Sequence, residues 1–225
     1  MKIRNSGFTM IEMMLAMTFV AFLMLTIALT TISLGNTYMK GITMTQVNEA
    51  GRTIADDLQK TVTSAPSQVD FSYSYSAYCF GNYSYVWNKG GDIVMTSDGR
   101  WPSSLIKYER PGSELDGEPV RLAKVIDPDM SYCADENTGN ITEIDAVELV
   151  PEGDRNLAIQ QFSAERLASS TTQTMYRVMF VLSTNNQEAL MSNDMSCRPP
   201  ADVSNEVNYC AVSSFDFLVR AGGGR

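Results

Sequence analysis

The sequence predicts an α+β protein: one very long N-terminal helix, then a β-rich domain. Three features predict it. Residues Phe8 to Leu34 form an apolar run whose only charged member is Glu12. No proline interrupts the chain before Pro66, so nothing breaks a helix that starts near Phe8. From Val69 onward the spacing of apolar and aromatic residues changes from three and four to two, which is the change from helix to strand.

The helix comes first. The 27 residues from Phe8 to Leu34 would extend about 40 Å as a helix, against a hydrocarbon core of about 30 Å. Lys2 and Arg4 precede the run and the next basic residue is Lys40, which predicts a cytoplasmic N-terminus and a translocated remainder. A cleaved secretory signal would carry an apolar region of about 7–15 residues ending in small residues, and this run is longer and contains Glu12. A plain single-pass anchor accounts for the length but not for a carboxylate, which costs roughly 2.5–3.5 kcal/mol at a membrane-helix centre and less near an interface. Beyond the run, Met44, Val47, Gly51, Ile54, Leu58 and Val62 recur at three- and four-residue steps. That stripe is the face a helix packs on a sheet, with Asp56, Asp57, Gln59 and Lys60 filling the other faces. Ser64-Ala65-Pro66 ends the helix, because a residue before proline avoids helical geometry.

The strands follow. Phe71, Tyr73 and Tyr75 alternate with serines, Gly81-Asn82 signals a turn, and Tyr83, Tyr85 and Trp87 alternate again, so this stretch reads as an aromatic hairpin. Short strands are expected at Ile93 to Met95, Leu105 to Tyr108, Val120 to Ile126 and Ile141 to Val150, with a polar loop from Pro111 to Pro119. Leu157 to Leu167 is ambiguous: its first half alternates, while Ala164 to Ala168 also suits a helix. Met175 to Ser183 is the clearest strand and Ser213 to Arg220 the last, with a polar loop from Asn185 to Asn208 between them.

Composition removes several functions. The chain has no histidine, which excludes Ser-His-Asp and Cys-His catalysis and His-ligated zinc. Its net charge of −9 argues against general nucleic-acid binding, and DNA is an unexpected partner. The four cysteines Cys79, Cys133, Cys197 and Cys210 all lie beyond the apolar run. An even count there points to two disulfides in an oxidising compartment, with three connectivities open and buried free thiols as the alternative.

The order Gly7-Phe8-Thr9-Met10-Ile11-Glu12, after a short basic leader and before an apolar helix, resembles the class III leader of type IV pilins and type II secretion pseudopilins. Met10 stands where leucine is usual. The resemblance implies the pilin fold, a long N-terminal helix with a membrane half and an amphipathic half, packed on an antiparallel β-sheet. It implies a leader of residues 1–7, a membrane or filament-core helix over 8–35, the amphipathic half over 36–65 and an extracytoplasmic headgroup over 66–225. It further implies cleavage between Gly7 and Phe8 by a prepilin peptidase, N-methylation of Phe8, and an assembly role for Glu12, which would neutralise the new amine of a neighbouring subunit. The alternative for Glu12 is a carboxylate favoured by the helix dipole and reaching towards the headgroups. The stretch Arg52 to Ala65, with a strand near residue 160 and a long one near 178, looks like the larger minor pilins related to pseudopilin J and minor pilin W. In such proteins a disulfide often closes a loop before the last strand, which implies Cys197–Cys210 and leaves Cys79–Cys133, though the other two pairings remain open.

Other candidate sites weigh less. The hairpin aromatics could form an adhesive face, but one face packed on the helix, with ordinary exposed tyrosines on the other, is the better reading. Asp135 to Glu143 faintly resembles a calcium loop, but its glycine and its would-be twelfth ligand are out of register, so a solvated acidic turn is the better reading and no metal or cofactor is expected. No spacing pairs a nucleophile with a base, and an anchored enzyme is a remote alternative. The function expected from the resemblance is that of a minor pilin-like structural subunit of a type IV pilus or a related secretion or competence filament. Its partners would be other pilin subunits, the prepilin peptidase and an inner-membrane assembly platform. It would reside in the membrane before assembly, with a role in initiation or at the tip. A ligand-binding tip adhesin is the alternative.

Overall fold

The computed structural model describes residues 9–65, 73–74, 77–113, 116–133, 143–150, 156–169, 173–186, 188–191, 196–199 and 209–222. A single helix, α1 (Met10–Ser64), runs without a break for 55 residues, about 83 Å at 1.5 Å per residue. It ends at Ala65, which is extended at φ −68° and ψ 152° and donates its N–H to the Val62 carbonyl at 3.1 Å.

Only the second half of α1 is covered. Its buried residues are Thr43, Val47, Ala50, Gly51, Ile54, Leu58, Thr61 and Val62. Met44, expected on this stripe, is 46% exposed. At 3.6 residues per turn the buried line passes through 43, 47, 50, 54 and 58, so Thr43 and Ala50 take that face instead. Each fully buried Val, Leu or Ile side chain contributes about 1.5–3 kcal/mol.

The stripe lies on a three-stranded antiparallel sheet of β8 (Leu157–Ser169), β9 (Thr174–Thr184) and β10 (Val212–Ala221), in the order β10-β9-β8. Ser213 Oγ donates to Asn48 Oδ1 at 2.9 Å near the start of β10, and Gly222 N–H donates to the Ala65 carbonyl at 3.1 Å just past its end. Strand β10 therefore runs in the direction of α1. Gly51 is where helix and strand come closest: a Cβ there would overlap the Phe215 ring, which stacks on Phe180 at 4.9 Å.

A five-stranded sheet covers the rest of this core: β1 (Tyr73–Ser74), β2 (Ala77–Phe80), β3 (Tyr83–Trp87), β5 (Leu122–Ile126) and β7 (Val147–Glu148). The remaining strands, β4 (Lys107–Tyr108) and β6 (Glu143–Ile144), pair in parallel. The hairpin aromatics point into the core. Tyr78 stacks on Trp87 at 5.4 Å, and Phe162 of β8 lies 5.2 and 5.0 Å from them. The fold is α+β, one long helix packed against antiparallel sheets.

Disulfides join Cys79 to Cys133 and Cys197 to Cys210. The first closes a separation of 54 residues and the second one of 13, contributing roughly 4 and 3 kcal/mol in the chain-entropy account. Cys79–Cys133 sits in a second core with Ala77, Val86, Tyr108, Val120 and Ile144. Cys197–Cys210 holds a small cluster with Ala189 and Leu190.

Several expected strands differ. Ile93 to Met95 is not a strand: Gly90–Asp92 forms a 3₁₀ turn, and Ile93 is buried as its C-cap. Of Leu105 to Tyr108 only Lys107 and Tyr108 form a strand; the Ile106 carbonyl accepts the Val120 N–H, and the Asn88 side chain bonds Ile106 N–H and the carbonyls of Ile106 and Val120. Of the strand expected from Ile141 to Val150, the described residues 143–150 are divided between two sheets, with Arg110 holding Asp145 and the Ala146 carbonyl at the break. The helical option at Ala164 to Ala168 loses to strand, since β8 continues to Ser169 with register shifts at 159/161 and 166/168. The hairpin's first strand is Ala77–Phe80 around Gly81, at φ 63°, rather than the stretch centred on Tyr73. Phe71 and Tyr75 lie outside the described residues.

Candidate functional site: the uncovered apolar helix

The first half of α1 touches nothing else among the described residues. Every residue from Met10 to Tyr38 is exposed on all sides of the helix. Met10, Phe19, Phe22, Leu29 and Leu34 are each more than 60% exposed. An 18-residue window here has a mean hydropathy of 2.2, so the helix is long and apolar enough to cross a membrane. Threonine hydroxyls within it are paired inside the helix. Thr18 donates to the Leu15 carbonyl at 2.9 Å, Thr26 to Leu23 at 2.8 Å, Thr31 to Ile27 at 2.8 Å and Thr37 to Ser33 at 3.0 Å. These bonds satisfy threonine hydroxyls that would otherwise face an apolar surrounding unpaired.

Glu12 occupies the third helical position behind the N-cap Thr9. Its carboxylate accepts the Thr9 N–H and hydroxyl, both at 2.9 Å, while its own N–H donates to Thr9 Oγ1 at 3.3 Å. This reciprocal capping box satisfies donors that would otherwise be orphaned at a helix start. Glu12 thus has a partner within its own chain, and its charge sits at the positive end of the helix dipole. The sequence carries the signal, Thr-x-x-Glu before an apolar run. Gly7 and Phe8 lie outside the described residues, so the structure says nothing of the cleavage and methylation positions.

The headgroup holds three polar clusters that pattern reading did not identify. At the helix–sheet junction, Lys124 Nζ of β5 lies 3.0 and 3.1 Å from the Asp57 carboxylate, 2.7 Å from Thr61 Oγ1 and 4.5 Å from the Tyr83 ring centre. Tyr85 Oη stands 2.7 Å from both Asp57 Oδ2 and Thr61 Oγ1. With one proton to give, the phenol donates to the carboxylate and accepts from the threonine. Burial, and then the Asp57 charge, push the Tyr85 hydroxyl well above its ordinary range. The only sequence signal was Asp57 and Thr61 four residues apart beside the apolar stripe.

The second cluster centres on Glu148, which accepts from Arg121, Leu122 and Val150 N–H and from Tyr108 Oη at 2.8 to 3.2 Å. Burial raises this carboxyl, and the four donors offset only part of that. In the third, Asp127 accepts from Ser84 Oγ, Ser131 N–H and Oγ, and Tyr132 N–H. Burial is the largest single influence on Asp127 and acts to raise it, but these hydrogen bonds together outweigh it and hold the carboxyl below its usual range. Each cluster ties segments together: α1 to β5, β5 to β7, and the β5 end to the Cys133 turn.

Among the described residues no group of three or more His, Cys, Asp or Glu side chains stands ready to hold a metal ion. The acidic stretch Asp135 to Thr142 lies outside them. No family model matches this chain, and neither the curated proteins nor the solved structures contain a detectable match.

Proposed function

We propose that this chain is a structural subunit of a type IV pilus-like or type II secretion-like filament, of the larger minor pilin or pseudopilin kind. The observation that carries the reading is the division of one 55-residue helix into a half buried on its own domain and a half bare on every side. About 30 residues of apolar side chain stable in water would need a cover, and a bilayer or a bundle of like helices supplies one. The Gly7-Phe8-Thr9-Met10-Ile11-Glu12 order selects the prepilin reading over a plain anchor. Two disulfides in the β-rich domain fit an extracytoplasmic location.

In this reading a prepilin peptidase cuts before Phe8 and the new amine is methylated. Glu12 then exchanges its hydrogen bonds to Thr9 for the positive amine of a neighbour as the helices bundle. A charge pair withdrawn from water interacts strongly, so a bare Glu12 disfavours any register in which no amine faces it. The assembly platform of the inner membrane would receive the subunit in that state. The adhesive alternative has less support, because Tyr78, Phe80, Tyr85 and Trp87 are all buried.

N-terminal sequencing of the membrane-extracted protein should begin at Phe8; retention of residues 1–7 would refute processing. Glu12→Ala should leave insertion and cleavage intact, remove the Glu12 half of the capping box, and abolish filaments. Normal filaments in that variant would remove the assembly role.

A further inference from the structure

We propose that side-by-side copies of this chain in one membrane join their three-stranded sheets edge to edge, β10 of one copy pairing in parallel with the distal half of β8 of the next. The inference rests on reading α1 as a membrane anchor and goes beyond it in naming the contact between heads.

The backbone defines two open edges. Thr184 N–H donates to the Ala211 carbonyl, so in an antiparallel ladder the odd residues of β10 face β9. Ser214, Asp216, Leu218 and Arg220 then turn their N–H and C=O groups outward, and among the described residues no backbone group meets them there. By the same alternation, Ala164, Arg166 and Ser169 of β8 turn theirs to the opposite edge. Residues 165–169 are exposed. Sheet edges left open in this way are templates for a further strand.

The two edges match in height and direction. Ala164 pairs with Val178, which pairs with Phe217; Arg166 pairs with Tyr176, which pairs with Val219. Strands β8 and β10 both run away from the apolar end of α1. Identical anchors in one bilayer hold two heads at one height and in one orientation, so the β8 edge of one copy meets the β10 edge of another in register and in parallel. Antiparallel pairing of β10 with itself would turn the second anchor upside down. Three strands about 4.8 Å apart separate neighbouring helices by about 14 Å, wider than a helix of 10–12 Å, so the anchors do not collide.

Side chains favour this partner. The β10 edge and α1 enclose a crease of about 380 Å³ lined by Gln59, Thr63, Gln173, Leu218, Val219 and Arg220. Leu218 is 60% exposed there, and Leu167 at the β8 register shift is 48% exposed. Each is an apolar side chain standing out on an otherwise polar edge. The contact uses different surfaces on the two copies, so it propagates in a row instead of closing as a pair.

The test uses the full chain in its membrane, where all four native cysteines are already bonded. Glu165→Cys and Leu218→Cys, which stand at one height because both residues pair with Arg177, are made singly and together and oxidised. The double variant should give a ladder of cross-linked species and each single variant only monomer. Adding Arg220→Pro, which removes an outward N–H and the exposed side-chain bond to Gln173 but no backbone bond to β9, should abolish the ladder while the head still unfolds cooperatively. Monomer from the double variant overturns the proposal, and so does dimer from either single variant, which would mean like edges meeting. Alkaline carbonate extraction runs in parallel: a chain released by carbonate would overturn the anchor reading itself, whereas a retained chain without a ladder overturns the edge pairing alone.

Discussion

The two halves of α1 share one secondary structure, yet they meet opposite surroundings. From Met10 to Tyr38 apolar residues occupy every face and none is buried. From Thr43 to Val62 they are confined to one stripe, and that stripe is sealed by β9, β10 and the aromatic hairpin. A helix apolar all round has no preferred side for a single sheet to cover, so its cover must surround it. A helix apolar on one side is satisfied by its own domain. The boundary falls where charged residues begin to recur, at Lys40 and Glu49.

The same substitution made in each half gives the largest expected contrast. Leu58→Asp places an unpaired carboxylate where the side chain is fully buried, and the head should fail to fold, read as loss of the cooperative urea transition. Leu23→Asp should leave that transition unchanged and instead weaken membrane retention by about 2.5–3.5 kcal/mol, read by carbonate extraction. Equal effects of the two on the head would break the comparison. A milder pair sharpens it: Leu58→Ala should cost about 2–5 kcal/mol in urea unfolding and Leu23→Ala less than about 0.5 kcal/mol.

Gly51 tests how closely the covered half is fitted. Gly51→Ala must displace the Phe215 ring and should cost about 1–3 kcal/mol, despite alanine's better helix propensity. Gly41→Ala, where a Cβ meets nothing within 4 Å, should instead stabilise the helix by up to about 1 kcal/mol, measured by amide exchange in α1.

Asp57→Ala removes the carboxylate shared by Lys124 and Tyr85. The pair is part-exposed, at 20% and 31%, which limits the expected loss to about 1–2 kcal/mol. The smallest effect is a pH slope. Asp127 is held below its usual range in the folded head, so its stabilisation is full above the unfolded value of about 4 and is lost as pH falls through the lowered one. Asp127→Asn should flatten that acid limb of a melting-temperature profile, and an unchanged profile would show the Asp127 hydrogen bonds to be without consequence.

Much of this organisation is legible locally. The helix length, the Thr9–Glu12 cap and the strands β9 and β10 each follow from spacing along one segment, because the contacts that make a helix or select its buried face recur every few residues. The short strands between Gly90 and Val150 do not. Ile93 to Met95 has the composition of a strand but is drawn into a turn under β8, and Ile106 exchanges hydrogen bonds with the Asn88 side chain, 18 residues away. Asp57 finds Lys124 and Tyr85 67 and 28 residues away, and Glu148 finds Leu122, Arg121 and Tyr108 26, 27 and 40 residues away. No spacing within a segment records such a distance.

The amino-acid sequence by itself determined that a membrane-length apolar helix leads into a β domain and that Glu12 stands capped at its start. The reason is that burial period and capping act over one or two turns of chain. Tertiary structure alone decided which short segments between Gly90 and Val150 pair, that Asp57 and Glu148 meet distant partners, and which of three pairings the cysteines take. Those outcomes depend on which distant segments meet, and that is settled by how α1, β8 and the five-stranded sheet share one core.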